Sequence, residues 1–228
     1  LEDINNLITK NNSSYDILKK YIFTKKDWTP ILEYSVQKKL KLIIMPLDVK
    51  AFNIFEEYRD YIHAIELHSI SFYDTCLNNK IKESNYDVML GTGGRTLEEI
   101  KNKKSFYHGK LKILMHGFQA FPSKLKDVKL QRIIELRKQF PKLDLGYADH
   151  SCFDDENAII SNNYAYILGS TYFEKHITIK EGEKRVDYES AIGHSKAKQI
   201  INNIKELEIN IPYKNADSFK MSSKEIIY

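Results

Sequence analysis

Six short apolar runs recur along the chain and alternate with longer segments of helical periodicity. Apolar residues occupy successive positions in these runs, which is typical of strands covered on both faces in a parallel sheet. The runs are residues 40–48, 64–69, 86–94, 111–118, 143–150 and 170–178. Each run ends in polar or small residues, and we expect these ends to build the site, because the carboxyl ends of parallel strands carry chemistry.

The segments between the runs predict helices. In residues 130–141, Leu130, Ile133 and Leu136 recur at roughly helical spacing, and a proline ends the pattern. Thr96, followed three residues later by Glu99, predicts a capping box directly after a strand and two glycines. Residues 156–169 and 196–208 supply further helices. The alternation of strand and helix without a Pro/Gly-rich linker predicts one α/β domain over residues 1–228, either doubly wound or barrel-shaped.

Composition narrows the class of protein. The 35 basic and 31 acidic residues are interspersed, so no basic patch for nucleic acid or for a membrane surface is indicated. The two cysteines, Cys76 and Cys152, lie far apart and indicate neither a disulfide framework nor a zinc knot. No apolar run approaches the ~20 residues that cross a bilayer. We therefore expect a cytoplasmic protein that binds neither nucleic acid nor membranes.

Two histidines follow consecutive predicted strands, His150 in GYADHS and His176 in FEKHIT. Alternate residues of a strand share a face, so His150 shares a face with Ala148, and His176 with Glu174. Both imidazoles could then reach one divalent cation, and two protein ligands would leave positions open for substrate. Each histidine alone is more often a hydrogen-bonded residue at a strand end, so this alternative stays open.

Five motifs, GYADHS, FEKHIT, GTGGRTLEEI, HGFQAFP and MPLD, resemble in order and spacing those of the sialic acid synthase (N-acetylneuraminate synthase) family. The resemblance extends from about residue 14 to about residue 207. It implies a (β/α)8 TIM-type barrel in which the six runs are the third to eighth strands. We therefore expect a single barrel domain over residues 1–228 that lacks the first two strands and the family's C-terminal antifreeze-like domain.

The resemblance also implies a reaction and its residues. The family condenses phosphoenolpyruvate with an N-acylated amino sugar, N-acetylmannosamine or a relative, to give a nine-carbon 2-keto acid. The divalent metal, Mn or Mg, would be held by His150 and His176, and Glu174 and Asp187 would be catalytic. The implied substrate-binding residues are Ser69, Thr92, Gln119, Phe121 and Asp187. Asp187 is equally well read as a surface charge, and a homodimer is the implied assembly.

The match fails where the family binds phosphate. Glu66 stands in place of a lysine, and Gly91, Gly117 and Ala148 stand in place of residues with hydroxyl or thiol groups. These changes favour an alternative, a catalytically silent relative that binds a sugar or a protein partner.

A third reading joins four histidines and one glutamate in a hydrolytic centre that would bind two ions. Its residues are Glu66, His68, His116, His150 and His176.

Overall fold

A computed structural model describes residues 22–118 and 120–211 of the chain. The strands are β1 (Leu42–Ile44), β2 (Ile62–Leu67), β3 (Val88–Gly91), β4 (Leu111–Gly117), β5 (Asp144–Asp149) and β6 (Tyr172–Lys175). The helices are α1 (Lys25–Gln37), α2 (Phe52–Phe55), α3 (Thr75–Glu83), α4 (Leu97–Tyr107), α5 (Leu125–Val128), α6 (Arg132–Gln139), α7 (Asn157–Ile167) and α8 (His194–Asn210). Short 3-10 turns lie at Val49–Ala51, Glu56–Tyr61, Ser69–Ser71, His108–Lys110 and Tyr188–Ser190.

The six strands form one parallel sheet in the order β1-β2-β3-β4-β5-β6, so every strand pairs with its neighbours in sequence. In the pairing of β5 with β6, Ala148 lies opposite Glu174 and Asp149 lies opposite Lys175. Each strand falls within or across one of the six predicted runs, and helices follow where periodicity indicated them. The predicted α/β class and the partial TIM-type barrel are confirmed.

The outer face of the sheet packs against the helices and forms the main core. Its strand residues alternate with those of the inner face, because successive side chains of a strand point to opposite sides. Ile65 and Leu67 of β2, Leu90 of β3 and Tyr147 of β5 are almost entirely buried in this core. Helices contribute Leu77, Ile81, Ile100, Ile133 and Leu136 to the same cluster.

The inner face of the sheet encloses a smaller apolar cluster of Ala64, Met89, Ile113 and Met115. The sheet curls strongly enough for β2 to contact β6, since His63 Nε2 and the Tyr172 hydroxyl are hydrogen-bonded at 3.0 Å. Gly146 lies where a Cβ atom would be 2.0 Å from the Met115 sulfur, so a larger residue there would displace the Met115 side chain. The curl places the carboxyl ends of the strands around a common opening.

The two outermost strands, β1 and β6, are less buried than the strands between them. Each has a neighbour on one side only within the described sheet. Across residues 22–118 and 120–211, none of the helices combines the length and apolar character that a membrane span requires.

Candidate functional site

His150, Glu174 and His176 converge at the carboxyl ends of β5 and β6. One ligand atom from each lies within 4.8 Å of the others, and the two imidazole centroids are 5.4 Å apart. His150 Nε2 is 4.0 Å from Glu174 Oε1. Strand parity predicted this meeting, and two imidazoles with one carboxylate are a donor set that suits a divalent transition metal.

The backbone around both histidines is fixed by residues from later loops. The His150 carbonyl accepts hydrogen bonds from the Ser190 hydroxyl at 2.9 Å and from the Ser123 amide at 2.8 Å. The Ile192 amide donates to the His176 carbonyl at 2.9 Å. Because these bonds hold the main chain at each strand end, the imidazoles are positioned before any ligand arrives.

A buried ion pair lies on the opposite side of the same strand ends. Lys175 Nζ is 3.0 Å from Asp149 Oδ2, and Asp149 is fully buried. Asn162 of α7 donates to the same carboxylate at 3.0 Å, and the Ser151 amide donates at 2.8 Å. The pair fixes β5 to β6 and to α7, next to the two histidines.

Both imidazoles are held in the neutral form that binds metal ions. Burial, followed by the neighbouring His176, lowers the pKa of His150 to about 4. Burial also lowers the pKa of His176, while Asp187 opposes this effect. His150 Nδ1 is buried and has no hydrogen-bond partner in the described part of the chain. Neutral imidazoles with a free ring nitrogen fit a metal ion, as the sequence predicted.

Phe121 covers the histidine pair from the loop after β4. Its ring centroid is 4.3 Å from that of His150 and 6.3 Å from that of His176. The Phe121 side chain is 43% exposed, so part of the ring faces solvent above the imidazoles. This position suits contact with an apolar part of a ligand, and the predicted role of Phe121 in substrate binding stays a prediction.

The carboxyl group of Glu66 faces Glu174 across the lumen, the space enclosed by the inner face of the curled sheet. Glu66, on the inner face of β2, is only 7% exposed and makes a side-chain hydrogen bond with Glu174. Burial, followed by the charge of Glu174, raises the pKa of Glu66 to about 8. Burial also raises the pKa of Glu174. Burial thus favours the protonated form of both carboxyl groups.

A narrow cavity joins the carboxyl pair to His150. Its lining residues are Glu66, His68, Ser69, Gly91, Gly93, Met115, Gly117, Ala148, His150 and Glu174. The Ser69 hydroxyl is buried here without a hydrogen-bond partner in the described residues. Ser69 therefore lines the cavity, and its predicted role in substrate binding stays a prediction.

The other predicted site residues lie in different settings. Thr92 is fully buried, and its hydroxyl donates to the Met115 carbonyl at 2.9 Å rather than into the cavity. Asp187 is partly exposed, in a left-handed backbone conformation. Burial lowers the pKa of both His68 and His176, and the charge of Asp187 opposes this effect in each. Gln119 lies outside the described residues.

His116 does not belong to this site. It stacks on Tyr147, whose ring is in the outer core, and its Nε2 donates to the Val128 carbonyl at 2.8 Å. The prediction that His116 joins a hydrolytic metal centre is therefore wrong. Side chains alternate along β4, so Met115 points into the interior of the half-barrel and His116 points away from it.

Comparison with known proteins decides the family. A profile of the NeuB family matches residues 3–215. The chain belongs to the NeuB family. This confirms the resemblance to sialic acid synthases that the motifs indicated.

Two curated proteins are similar to most of this chain. N-acetylneuraminate-9-phosphate synthase of Drosophila melanogaster is 25% identical over 196 residues, which are 79% of this chain and 51% of that protein. An uncharacterised protein of Methanocaldococcus jannaschii is 25% identical over 204 residues, 88% of this chain and 58% of that protein. The chain thus spans between 51% and 58% of these curated relatives.

The fold is also shared with a solved structure. N-acetylneuraminic acid (sialic acid) synthetase of Leptospira borgpetersenii, in complex with citrate, superimposes with a TM-score of 0.85 and 20% identity. The match covers 97% of this chain and 75% of that chain. At this identity the likeness shows the fold.

Several residues that shape this NeuB-family site were not found by sequence reasoning. Ser123 and Ser190 fix the His150 carbonyl, and Lys175 pairs with Asp149. The two serines lie in loops with no local signal for their contacts. For Lys175 a signal existed, because strand parity turns the residue between Glu174 and His176 away from the lumen.

Proposed function

We propose that this chain binds a divalent metal ion, manganese or magnesium, through His150 and His176, and beside it the open-chain aldehyde of an N-acylated amino sugar. The observation that carries the proposal is the convergence of His150, Glu174 and His176 within 4.8 Å at the mouth of a NeuB-family half-barrel. When bound, such an ion would polarise the aldehyde carbonyl and orient it for attack.

The remaining residues would bind the sugar and handle protons. Glu174 carries a carboxyl group with a raised pKa beside the imidazoles, so it can hold a proton and give it to the aldehyde oxygen. Asp187 is partly exposed near His176 and would accept hydrogen bonds from sugar hydroxyls. Phe121 would cover the apolar side of the ligand.

With phosphoenolpyruvate in the neighbouring cavity, this arrangement would complete a sialic-acid-synthase-type condensation. C3 of phosphoenolpyruvate would bond to the aldehyde carbon, and the aldehyde oxygen would take up a proton. Water would add at C2, and inorganic phosphate would leave, which gives a nine-carbon 2-keto acid. The predicted cytoplasmic location and the predicted homodimer stay predictions.

A second candidate function is binding of the sugar, or of a protein partner, without condensation. The observation that favours it is Glu66, a buried carboxyl group in the cavity where phosphoenolpyruvate would have to bind. In this second function the protein would still bind the metal ion and the sugar but would not bind phosphoenolpyruvate.

Calorimetric titration with Mn²⁺ tests the centre. We expect one ion per chain, and a loss of affinity of at least about tenfold in His150→Ala and His176→Ala, as for removal of a metal ligand or its support. The control is His194→Ala at the exposed start of α8, which should bind Mn²⁺ as the natural chain does. Equal affinity in all four proteins would reject the proposal.

Release of inorganic phosphate from a mixture of Mn²⁺, N-acetylmannosamine and phosphoenolpyruvate separates the two candidate functions. Phosphate release that requires the sugar supports condensation. Sugar binding without phosphate release, in protein that is folded by circular dichroism, supports the silent relative.

A further inference from the structure

The loop after β6 lies against the strand ends that carry the histidine pair. This strap, residues 177–193, leads from β6 to the start of α8. Its two ends are paired, since the Thr178 amide donates to the Ile192 carbonyl and the Ile192 amide donates to the His176 carbonyl, both at 2.9 Å. Because the ends are fixed in this way, the middle of the strap is the part that needs further support.

The middle of the strap carries Asp187 in an unusual backbone conformation. Its φ is +56°, in the left-handed region that residues other than glycine rarely adopt. Such a conformation persists where surrounding contacts hold it. Burial lowers the pKa of His68 and of His176, and the charge of Asp187 opposes this effect in each, so its carboxylate lies near both rings. Contacts that fix the strap therefore fix Asp187 beside the histidine pair.

Glu181 and Lys196 fasten the first part of the strap to α8. Glu181 Oε1 accepts a hydrogen bond at 2.6 Å from the amide of Gly193, the N-cap residue of α8. Glu181 Oε2 pairs with Lys196 Nζ at 2.8 Å, with the two side chains 28% and 29% exposed. Lys196 Nζ also donates to the Phe153 carbonyl at 2.5 Å. The ammonium group therefore joins the strap to the segment that follows β5.

Phe153 connects this attachment to the second part of the strap. Its amide donates to the Glu189 carbonyl at 2.7 Å, two residues beyond Asp187. Lys196 thus reaches the strap on both sides of Asp187, directly through Glu181 and indirectly through Phe153. An ammonium group that bonds to a carboxylate and to a carbonyl makes charge-assisted bonds, which are stronger than neutral ones.

We propose that Lys196 is a positioning residue for sugar binding, which together with Glu181 holds the strap so that Asp187 faces the ligand. The inference rests on the proposed function, in which Asp187 accepts hydrogen bonds from sugar hydroxyls. Lys196 acts on the ligand only through the strap. The paired ends of the strap, at His176 and Ile192, do not depend on Lys196, so the affinity for a metal ion should not depend on it either.

Calorimetric titration with N-acetylmannosamine, at saturating Mn²⁺, is carried out on the natural chain, Lys196→Met and Lys196→Arg. Methionine keeps most of the side-chain length and removes the ammonium group, so we expect about tenfold weaker sugar binding, as for loss of one hydrogen bond to a charged group. Arginine can donate to both acceptors, so Lys196→Arg should bind the sugar within about threefold of the natural chain. Unchanged sugar binding in Lys196→Met would overturn the inference.

The matched control is Lys198→Met, which removes an exposed ammonium group from the same helix and should leave sugar binding unchanged. Mn²⁺ titration of all four proteins should give equal affinities. A loss of Mn²⁺ affinity in Lys196→Met as large as its loss of sugar affinity would overturn the inference, because Lys196 would then support the whole site and not Asp187 in particular.

A double-mutant cycle with Asp187→Gly separates positioning from a general loss of stability. Glycine adopts the left-handed backbone readily and removes the carboxylate. If Lys196 acts through Asp187, Lys196→Met has no further effect on sugar binding in a chain that already carries Asp187→Gly. Additive losses would overturn the inference. Should Lys196→Met fail to fold, Glu181→Gln, which weakens the same ion pair, takes its place in the cycle.

Tryptic cleavage after Lys184, an exposed residue of the strap, reports on the strap without metal or sugar. We expect faster cleavage at this bond in Lys196→Met than in the natural chain or Lys198→Met, because a segment that opens more often is cut more often. Mass spectrometry identifies the bond, and equal rates would overturn the inference. If the natural chain binds no N-acetylmannosamine, the proposed function fails, and the cleavage rate still shows whether Lys196 fixes the strap.

Discussion

Asp149 holds the strand ends that carry both histidines. Its carboxylate accepts bonds from Lys175, Asn162 and the Ser151 amide, and no part of it reaches solvent. We expect Asp149→Asn to lower the free energy of unfolding by about 3 kcal/mol, because it leaves the Lys175 ammonium buried without its counter-charge. Urea denaturation measures this loss, and Mn²⁺ titration should show weaker binding as His150 loses its fixed position.

An exposed ion pair serves as the control for this substitution. Lys138 and Glu135 on α6 are 3.2 Å apart, with side chains 65% and 63% exposed. Glu135→Gln should change the free energy of unfolding by less than about 1 kcal/mol, since solvent screens exposed pairs. Equal losses in the two variants would show that the Asp149 pair contributes no more than a surface pair.

At the scale of single residues, parity along a strand was the most informative signal. It predicted that His150 and His176 would meet beside Glu174, and it explains why His116 lies in the outer core. Parity carries no information about loops, so the position of Phe121 over the imidazoles was not predicted, and the resemblance implied only that Phe121 binds substrate. The hydrogen bond of Thr92 to Met115 depends on a neighbouring strand and had no local signal.

At the scale of elements, the start of α4 depends on the capping box at Thr96. The Thr96 hydroxyl accepts a bond from the Glu99 amide at 3.3 Å, and the Glu99 carboxylate accepts one from the Thr96 amide at 2.6 Å. We expect Thr96→Ala to lower the free energy of unfolding by about 1 kcal/mol, because the Glu99 amide loses its side-chain acceptor and the Glu99 carboxylate loses the bond from the Thr96 hydroxyl. Urea denaturation at neutral pH measures the change.

Thr24 begins α1 with the same box, which gives a matched comparison. The loop before Thr96 follows β3 into the cavity, and Gly94 in it adopts φ +67°, which favours glycine. Thr96→Ala should therefore also weaken ligand binding in the cavity, whereas Thr24→Ala should affect stability alone. If both variants altered ligand binding equally, the capping box of α4 would not be needed to position the loop that lines the cavity.

The capping box and the helices α4, α6, α7 and α8 were visible in the sequence, because each depends on residues close together in the chain, whereas α1, α2, α3 and α5 were not predicted. The length of each strand could not be predicted from the sequence. The run at residues 40–48 contains only Leu42–Ile44 in β1, since Asp48 already caps the Val49–Ala51 turn and accepts the Ala51 amide at 3.0 Å. A local apolar pattern cannot show where a strand loses its pairing partner.

At the scale of the whole molecule, the curl of the sheet brings residues of β2 against residues of β6. His63 contacts Tyr172, and Glu66 contacts Glu174, although each pair is separated by more than one hundred residues. The resemblance placed Glu66 at the family's phosphate site and Glu174 among the catalytic residues but gave no distance between them. Distances across a barrel follow from the curvature of the sheet, which residue patterns do not encode directly.

The stability of the whole molecule should depend on pH through its buried titrating groups, and His116 gives the clearest test because it lies away from the histidine pair. Burial lowers the pKa of His116 from an ordinary value of 6.5 to about 4. Between these pH values the unfolded chain takes up a proton that the folded protein does not, so the free energy of unfolding falls as pH falls. The loss of unfolding free energy approaches about 3 kcal/mol as the pH falls to the pKa of His116 in the folded protein.

Glu66 has the opposite effect on how the free energy of unfolding changes with pH. Its pKa is raised from an ordinary 4.5 to about 8, so between these values the folded protein keeps a proton that the unfolded chain has lost. The free energy of unfolding therefore falls as pH rises through this window. In metal-free protein, urea denaturation from pH 4.5 to 8 should show a shallower acid-side loss in His116→Gln and a shallower alkaline-side loss in Glu66→Gln. Unchanged slopes in both variants would mean that neither buried group controls the pH dependence of the fold.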